Sequence, residues 1–155
     1  MDDLTRRFPN DTEINAITLP IVHAFAELNR SPEKTIQVLE PVRRYENGEF
    51  AMLWPRYLRG LAYLKLGRLQ EAITEFKGIL DHRPVTFFSA IHSVSQLQLA
   101  RAWATAAARE GDTTARENSL IAARKAYQDF LALWKDAGAN NPILQQAKDE
   151  YAKLN

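Results

Sequence analysis

The sequence contains no cysteine, which excludes a disulfide framework, a thiolate nucleophile and any zinc site built on cysteine ligands. A chain without cysteine fits a reducing compartment, and we expect a cytoplasmic protein. The sequence also lacks a glycine-rich phosphate-binding loop, with only 6 glycines among its 155 residues. We expect no bound cofactor.

Charge of one sign and long apolar runs are missing as well. The 20 basic residues oppose 19 acidic ones and leave a formal net charge of +1, which favours neither nucleic acid nor an anionic membrane as a partner. The apolar window at residues 97–108 is too short to cross a bilayer and contains Arg101. The N-terminus has no basic-then-apolar signal pattern. The hydrophobic share of 46% is typical of a globular domain.

Side chains that could carry catalysis are scattered along the chain. The histidines show no helical pairing and no metal-ligand spacing with a carboxylate: His23, His82 and His92. Two carboxylate pairs lie in charge-rich helical segments and are interpreted as solvated faces: Glu71/Glu75 and Asp149/Glu150. We expect no catalytic residue and no metal site, so the chain itself is not predicted to be an enzyme.

Residues 54–84 have the clearest pattern and predict a helix, a turn at Gly67-Arg68 and a second helix. Small residues stand where the two helices must touch, namely Gly60, Ala62 and Ala72. Apolar residues recur between them at helical spacing: Tyr63, Leu66, Leu69, Ile73, Phe76 and Ile79. The pattern predicts an antiparallel helix pair with a close crossing.

This stretch resembles a tetratricopeptide repeat, a helix pair of roughly 34 residues. Seven residues stand at the spacings of that repeat: Gly60, Tyr63, Gly67, Ala72, Phe76, Ile79 and Pro84. The sequence departs from it at Arg56 and Arg59, where the family usually has an aromatic residue and a leucine. The resemblance implies an all-α fold, a right-handed solenoid of helix hairpins.

The remaining segments fit the same plan as one tetratricopeptide-like domain over residues 1–155. We predict a degenerate repeat at 11–46, the clear repeat at 51–84, an elongated repeat at 85–137 and a capping helix at 141–155. In the degenerate repeat, Ile14, Ile17, Ile21 and Phe25 recur at helical spacing and predict a helix, in which Pro20 predicts a kink.

The elongated repeat is inferred from spacing. Trp103 and Tyr127 take the roles of Tyr63 and Phe76 but are 24 positions apart against 13. The excess is about three helical turns, so both arms can lengthen with their apolar faces in register. Its first helix is predicted to include Phe88.

Helix starts are predicted from capping residues. We expect capping boxes at Asn10/Glu13 and Thr114/Glu117, and N-caps followed by proline at Ser31-Pro32 and Asn141-Pro142.

The C-terminal part supports an alternative function. Residues 126–137 and 142–154 resemble the C-terminal end of large bacterial serine/threonine protein kinases that carry tetratricopeptide arrays. The chain has none of the kinase motifs itself. It is expected to be a piece of a longer protein, and it could be the regulatory or docking tail of such a kinase. A self-association module is the third reading.

The first reading is a scaffold that binds a protein or peptide, because first helices of tetratricopeptide repeats line a concave groove. Carried onto this sequence, the groove would be lined by Trp54, Tyr57, Leu61, Lys65, Leu97, Arg101 and Thr105. The competing interpretation is that Trp54 and Tyr57 only pack against the preceding helix pair. The family's carboxylate clamp is not reproduced, since Tyr57 and Leu61 occupy two of its positions.

Overall fold

The computed structural model describes residues 2–82, 90–138 and 141–154. Its α-helices are α1 (Asp2–Arg7), α2 (Leu19–Glu27), α3 (Pro32–Leu39), α4 (Trp54–Lys65), α5 (Leu69–Leu80), α6 (Ile91–Arg109), α7 (Thr113–Leu133) and α8 (Pro142–Ala152). No β-strand occurs in these residues, so the predicted all-α class is confirmed. The chain divides into two compact units, residues 1–91 and 92–155. Pro84 and Phe88, which the sequence interpretation used, lie outside the described residues.

The segment before α2 is distorted, as Pro20 predicts. A π-helix (Glu13–Thr18) leads into α2, and the Leu19 N–H donates to the carbonyl of Ile14, five residues back. Pro20 has no N–H to continue the α-helical ladder, and a wider turn accommodates its ring. The predicted cap at Asn10 is wrong: Asp11 accepts the Ile14 N–H at 2.9 Å, because the helical turn begins one residue later.

A buried threonine of α3 forms a hydrogen bond to α2. Helix α3 begins at Pro32 as predicted, but the Ser31 side chain makes no capping bond. Thr35 is fully buried, and its Oγ1 donates to the carbonyl oxygen of Ala24 at 3.2 Å. The buried hydroxyl thereby has a hydrogen-bond partner. The α-helix ends at Leu39, before Pro41, and a 3-10 helix (Glu40–Tyr45) continues it.

The central pair α4–α5 has the predicted turn. Gly67 has φ 70°, a left-handed conformation that glycine adopts without strain, and the Arg68 N–H donates to the Tyr63 carbonyl at 2.9 Å. At the helix crossing, the ring of fully buried Phe76 occupies the space beside Gly60. A Cβ at position 60 would lie 2.6 Å from that ring.

The second unit contains the predicted long helices. Helices α6 and α7 have 19 and 21 residues, against 12 each for α4 and α5. The Gln96 Nε2 donates to the Ala126 carbonyl and links them at 3.3 Å. The predicted cap at Thr114 is wrong: helix α7 already begins at Thr113, so Asp112 is the N-cap and accepts the Ala115 N–H at 2.7 Å.

Within the second unit, helix α8 packs against α6 and α7 through apolar and polar contacts. Asn141 caps it as predicted, with Oδ1 accepting the Ile143 N–H at 3.0 Å. Leu144 and Ala147 are buried, and Glu150 accepts the Tyr127 hydroxyl at 3.0 Å. None of the helices in the described ranges is long and apolar enough to cross a membrane.

Because of Tyr127, the stability of this unit is expected to fall at alkaline pH. Burial and the adjacent Glu150 carboxylate raise the pKa of Tyr127 above its usual range. Above pH about 10, the unfolded chain ionises this tyrosine while the folded chain keeps it neutral, so stability falls as pH rises. We expect Tyr127→Phe to flatten the fall in stability between neutral pH and pH about 11, measured by urea unfolding. An unchanged slope would contradict this origin.

Candidate binding surface and buried ion cluster

Three neighbouring rings on α2 and α4 form a partly exposed surface, named here the aromatic strip: Phe25, Trp54 and Tyr57. The ring centroids of Phe25 and Trp54 are 5.6 Å apart, and those of Trp54 and Tyr57 are 5.8 Å apart. Phe25 is 47% exposed, and the other two are partly exposed. Tyr57 also contacts Phe76 at 6.1 Å, so the strip rests on the core and opens to solvent.

Two more predicted groove residues continue the same face of α4. Leu61 and Lys65 follow Tyr57 at intervals of four residues, which places them along one side of the helix. Leu61 packs partly against the core, whereas Lys65 is exposed. Lys65 makes no ion pair with the described residues, and α4 contains no acidic residue. The surface therefore combines aromatic rings with an unneutralised positive charge.

The other three predicted groove residues lie in the second unit and are differently placed. Leu97 is 2% exposed, so it belongs to the interior and cannot contact a partner. The Arg101 guanidinium is held by Glu150, with Nε–Oε2 and Nη2–Oε1 distances of 2.9 and 3.0 Å. Thr105 donates its hydroxyl to the Arg101 carbonyl at 2.8 Å. A partner would have to displace α8 contacts to use Arg101.

Sequence reasoning missed Phe25 as a surface residue. Helical spacing placed it in one row with Ile17 and Ile21, but the buried residues of α2 are Leu19 and Ala24. Phe25 follows Ala24 and is rotated by about 100° from it, toward solvent. A helical stripe defines a face only within about one residue, so the sequence carried no signal that distinguished Phe25 from Ala24.

Behind the strip, on the opposite side of α4, lies a buried ion cluster: Arg59, Glu46, Glu75 and Arg56. Arg59 is fully buried, and its Nε and Nη2 donate to the two carboxylate oxygens of Glu75 at 2.6 and 3.0 Å. The same Nη2 donates to Glu46 Oε2 at 2.6 Å. Arg56 Nε lies 2.8 Å from Glu46 Oε1, so each carboxylate has an arginine partner.

Arg59 keeps its charge although it is buried. Burial opposes the charge on Arg59, but hydrogen bonds and charge from Glu75 and Glu46 outweigh it and raise the pKa of Arg59 above its usual value. The interpretation of Glu75 as part of a solvated face is wrong, because only 5% of it is exposed. Its partner Arg59 is 16 residues away on another helix, beyond the reach of spacing rules for one helix.

The connecting loop, residues 46–53, begins at the cluster residue Glu46 and leads into Trp54. The Glu46 carbonyl accepts the Leu53 N–H at 2.9 Å, and the Leu53 side chain is fully buried. Met52 and Leu53 have φ values of 44° and 62°, which are unfavourable for residues other than glycine. Such a conformation persists only where surrounding contacts impose it. The loop, and with it the start of α4, is therefore held in one arrangement.

The histidines described next do not form a catalytic or metal-binding group. His23 is exposed, and His82 Nδ1 lies 2.7 Å from the Gly78 carbonyl. Among the residues in the described ranges, no three His, Asp or Glu side chains are grouped so that they could hold a metal ion.

No protein-family model, curated protein or solved structure matches the chain. The class defined by the structure itself is an all-α protein of helices joined by turns.

Proposed function

We propose that the chain is a tetratricopeptide-like protein-binding module, a right-handed solenoid of helix hairpins with α8 as its cap. Two features support this. Helices α4 and α5 are of equal length, are joined at Gly67 and cross where Phe76 packs on Gly60, as the repeat pattern predicts. A second pair, α2–α3, precedes them with Thr35 at its crossing.

The observation that carries the proposal is the aromatic strip. Scattered exposed apolar side chains are normal on proteins, but adjoining rings that rest on the core and face solvent are typical of interaction sites. Aromatic side chains contribute strongly to binding because they bury large areas with little loss of conformational freedom. Phe25, Trp54 and Tyr57 supply such a surface without any rearrangement of the fold.

The charged residues near the strip indicate which charge a partner would carry. Lys65 is exposed and forms no ion pair within the described part of the chain, and Glu27, the acidic residue of neighbouring α2, pairs with Lys34 at 2.8 Å. The surface therefore favours a ligand that presents an apolar or aromatic side chain together with a carboxylate. The ligand that we propose is a protein segment or peptide of this composition.

The test uses an array of synthetic peptides in which an aromatic residue and an aspartate or glutamate are varied in position. The purified chain should bind a subset, and Trp54→Ala should weaken that binding about tenfold or more. Ile121→Ala is the matched control, because Ile121 is an exposed apolar residue of the second unit, 56% exposed. Equal binding by Trp54→Ala and the unmodified chain would show that the strip is not the surface.

The resemblance of residues 126–137 and 142–154 to kinase-associated repeats supports a second candidate. In this second candidate function, the chain is the regulatory or docking tail of a serine/threonine protein kinase, and the aromatic strip would select the partners of that kinase. A kinase domain encoded upstream in the same reading frame would decide for it.

A further inference from the structure

The connecting loop presents an unusual pair of side chains at its solvent side. Phe50 is 62% exposed, the most exposed of the large apolar side chains in the described ranges. Glu49 beside it is exposed and forms no ion pair with the described residues. We name these two residues the loop tip. A phenylalanine so exposed, next to a free carboxylate, has the composition of a binding determinant.

The loop tip is presented in a fixed conformation. On either side of Phe50, the backbone is tied by hydrogen bonds from Met52 N–H to Gly48 O and from Leu53 N–H to Glu46 O, both 2.9 Å. Ala51 and Leu53 are buried, and the Glu46 side chain belongs to the ion cluster. A loop already held in one arrangement loses little conformational entropy when it binds.

We propose that the loop tip of one copy of this chain docks on the aromatic strip of a second copy. The proposal rests on the proposed function of the strip and names one occupant for it. Phe50 would stack against Trp54 and Tyr57, and Glu49 would pair with Lys65. The two sides are complementary: both present aromatic rings, and Lys65 of the strip and Glu49 of the tip have opposite charges that no other described residue pairs with.

The proposed interface joins two different surfaces, since the tip of one copy contacts the strip of the other. Two copies can exchange tips and close as a pair, or each can pass its tip onward and form a chain. One ring and one ion pair make a small interface, so a dissociation constant on the order of 10⁻⁵ to 10⁻³ M is expected. Association should then depend visibly on protein concentration and weaken with salt.

Sedimentation velocity over a range of concentrations tests the inference. The weight-average mass of the unmodified chain should rise with concentration. Phe50→Ala, Glu49→Lys and Lys65→Glu should each weaken association about tenfold or more, while leaving thermal unfolding nearly unchanged because all three side chains are exposed. Ile121→Ala, on the second unit, is the control and should associate like the unmodified chain.

The decisive measurement mixes two variants. Glu49→Lys and Lys65→Glu should each associate at least about tenfold more weakly alone than as an equimolar mixture, because in the mixture the introduced lysine of one copy faces the introduced glutamate of the other. An effect on folding alone would not give this rescue. A mass that never changes with concentration would overturn the inference, as would association that survives Phe50→Ala or a mixture that stays monomeric.

The peptide array separates this inference from the proposed function. Binding of array peptides that is lost in Trp54→Ala, by a chain that stays monomeric, leaves the strip as the binding surface and removes only the second copy as its occupant. If association depends on Phe50 and Glu49 but not on Trp54 or Lys65, the tip docks elsewhere and the inference is wrong.

Discussion

Replacing Arg59 by methionine is expected to lower the free energy of unfolding by about 3–5 kcal/mol. Methionine fills a similar volume, so the loss comes mainly from charge. Glu46 and Glu75 would remain buried with only the outer arginines nearby, and Arg56 and Arg43 lie 3.8 and 3.5 Å from Glu75 oxygens. Urea unfolding followed by circular dichroism measures the change.

A compensated variant tests this explanation. Arg59→Met combined with Glu75→Leu removes the buried pair as a whole and leaves Glu46 paired with Arg56 at 2.8 Å. Replacing a buried ion pair by apolar residues is often neutral or stabilising, so the double variant should recover most of the loss. If it is as unstable as the single variant, packing rather than unpaired charge is responsible.

The matched control is an exposed arginine–carboxylate pair in the same unit. Arg68 pairs with Glu71 at 2.8 Å, and both side chains are largely open to solvent. Arg68→Met should cost no more than about 1 kcal/mol, because water screens the pair and solvates the remaining carboxylate. The contrast between the two arginines is the result expected if burial determines the penalty.

Gly60→Ala is expected to lower the free energy of unfolding by about 1–3 kcal/mol, although alanine favours helix by about 1 kcal/mol. The added methyl group would lie 2.6 Å from the Phe76 ring. That ring is fully buried and also contacts Tyr57, so it has little room to move. Chemical denaturation gives the value.

A second background and a control substitution test whether the Phe76 ring is the cause. In the background of Phe76→Leu, which shortens the opposing side chain, the cost of Gly60→Ala should shrink, and the difference measures the coupling of the two positions. Gly111→Ala is the control, since nothing lies within 4 Å of its Cβ position, and it should change stability by no more than about 0.5 kcal/mol. A stabilised Gly60→Ala would mean that α4 and α5 can separate at low cost.

The sequence by itself determined the helical elements and many of their ends. Helical periodicity, Gly67 at a left-handed turn, and Pro32 and Pro142 in first turns all act within a few residues, through backbone sterics and local hydrogen bonds. The elongation of α6 and α7 followed from one count of residues between Trp103 and Tyr127. Two capping residues were missed, each by no more than two positions.

Only the tertiary structure decided which polar residues are buried and which rings are exposed. Arg59 is buried because Glu46 and Glu75, distant in sequence, converge on it and offset the cost of removing its charge from water. Phe25 is exposed because Ala24, one residue earlier, faces the core. Both outcomes depend on how helices far apart in sequence pack together, and a helical period carries no information about which neighbour a side chain will meet.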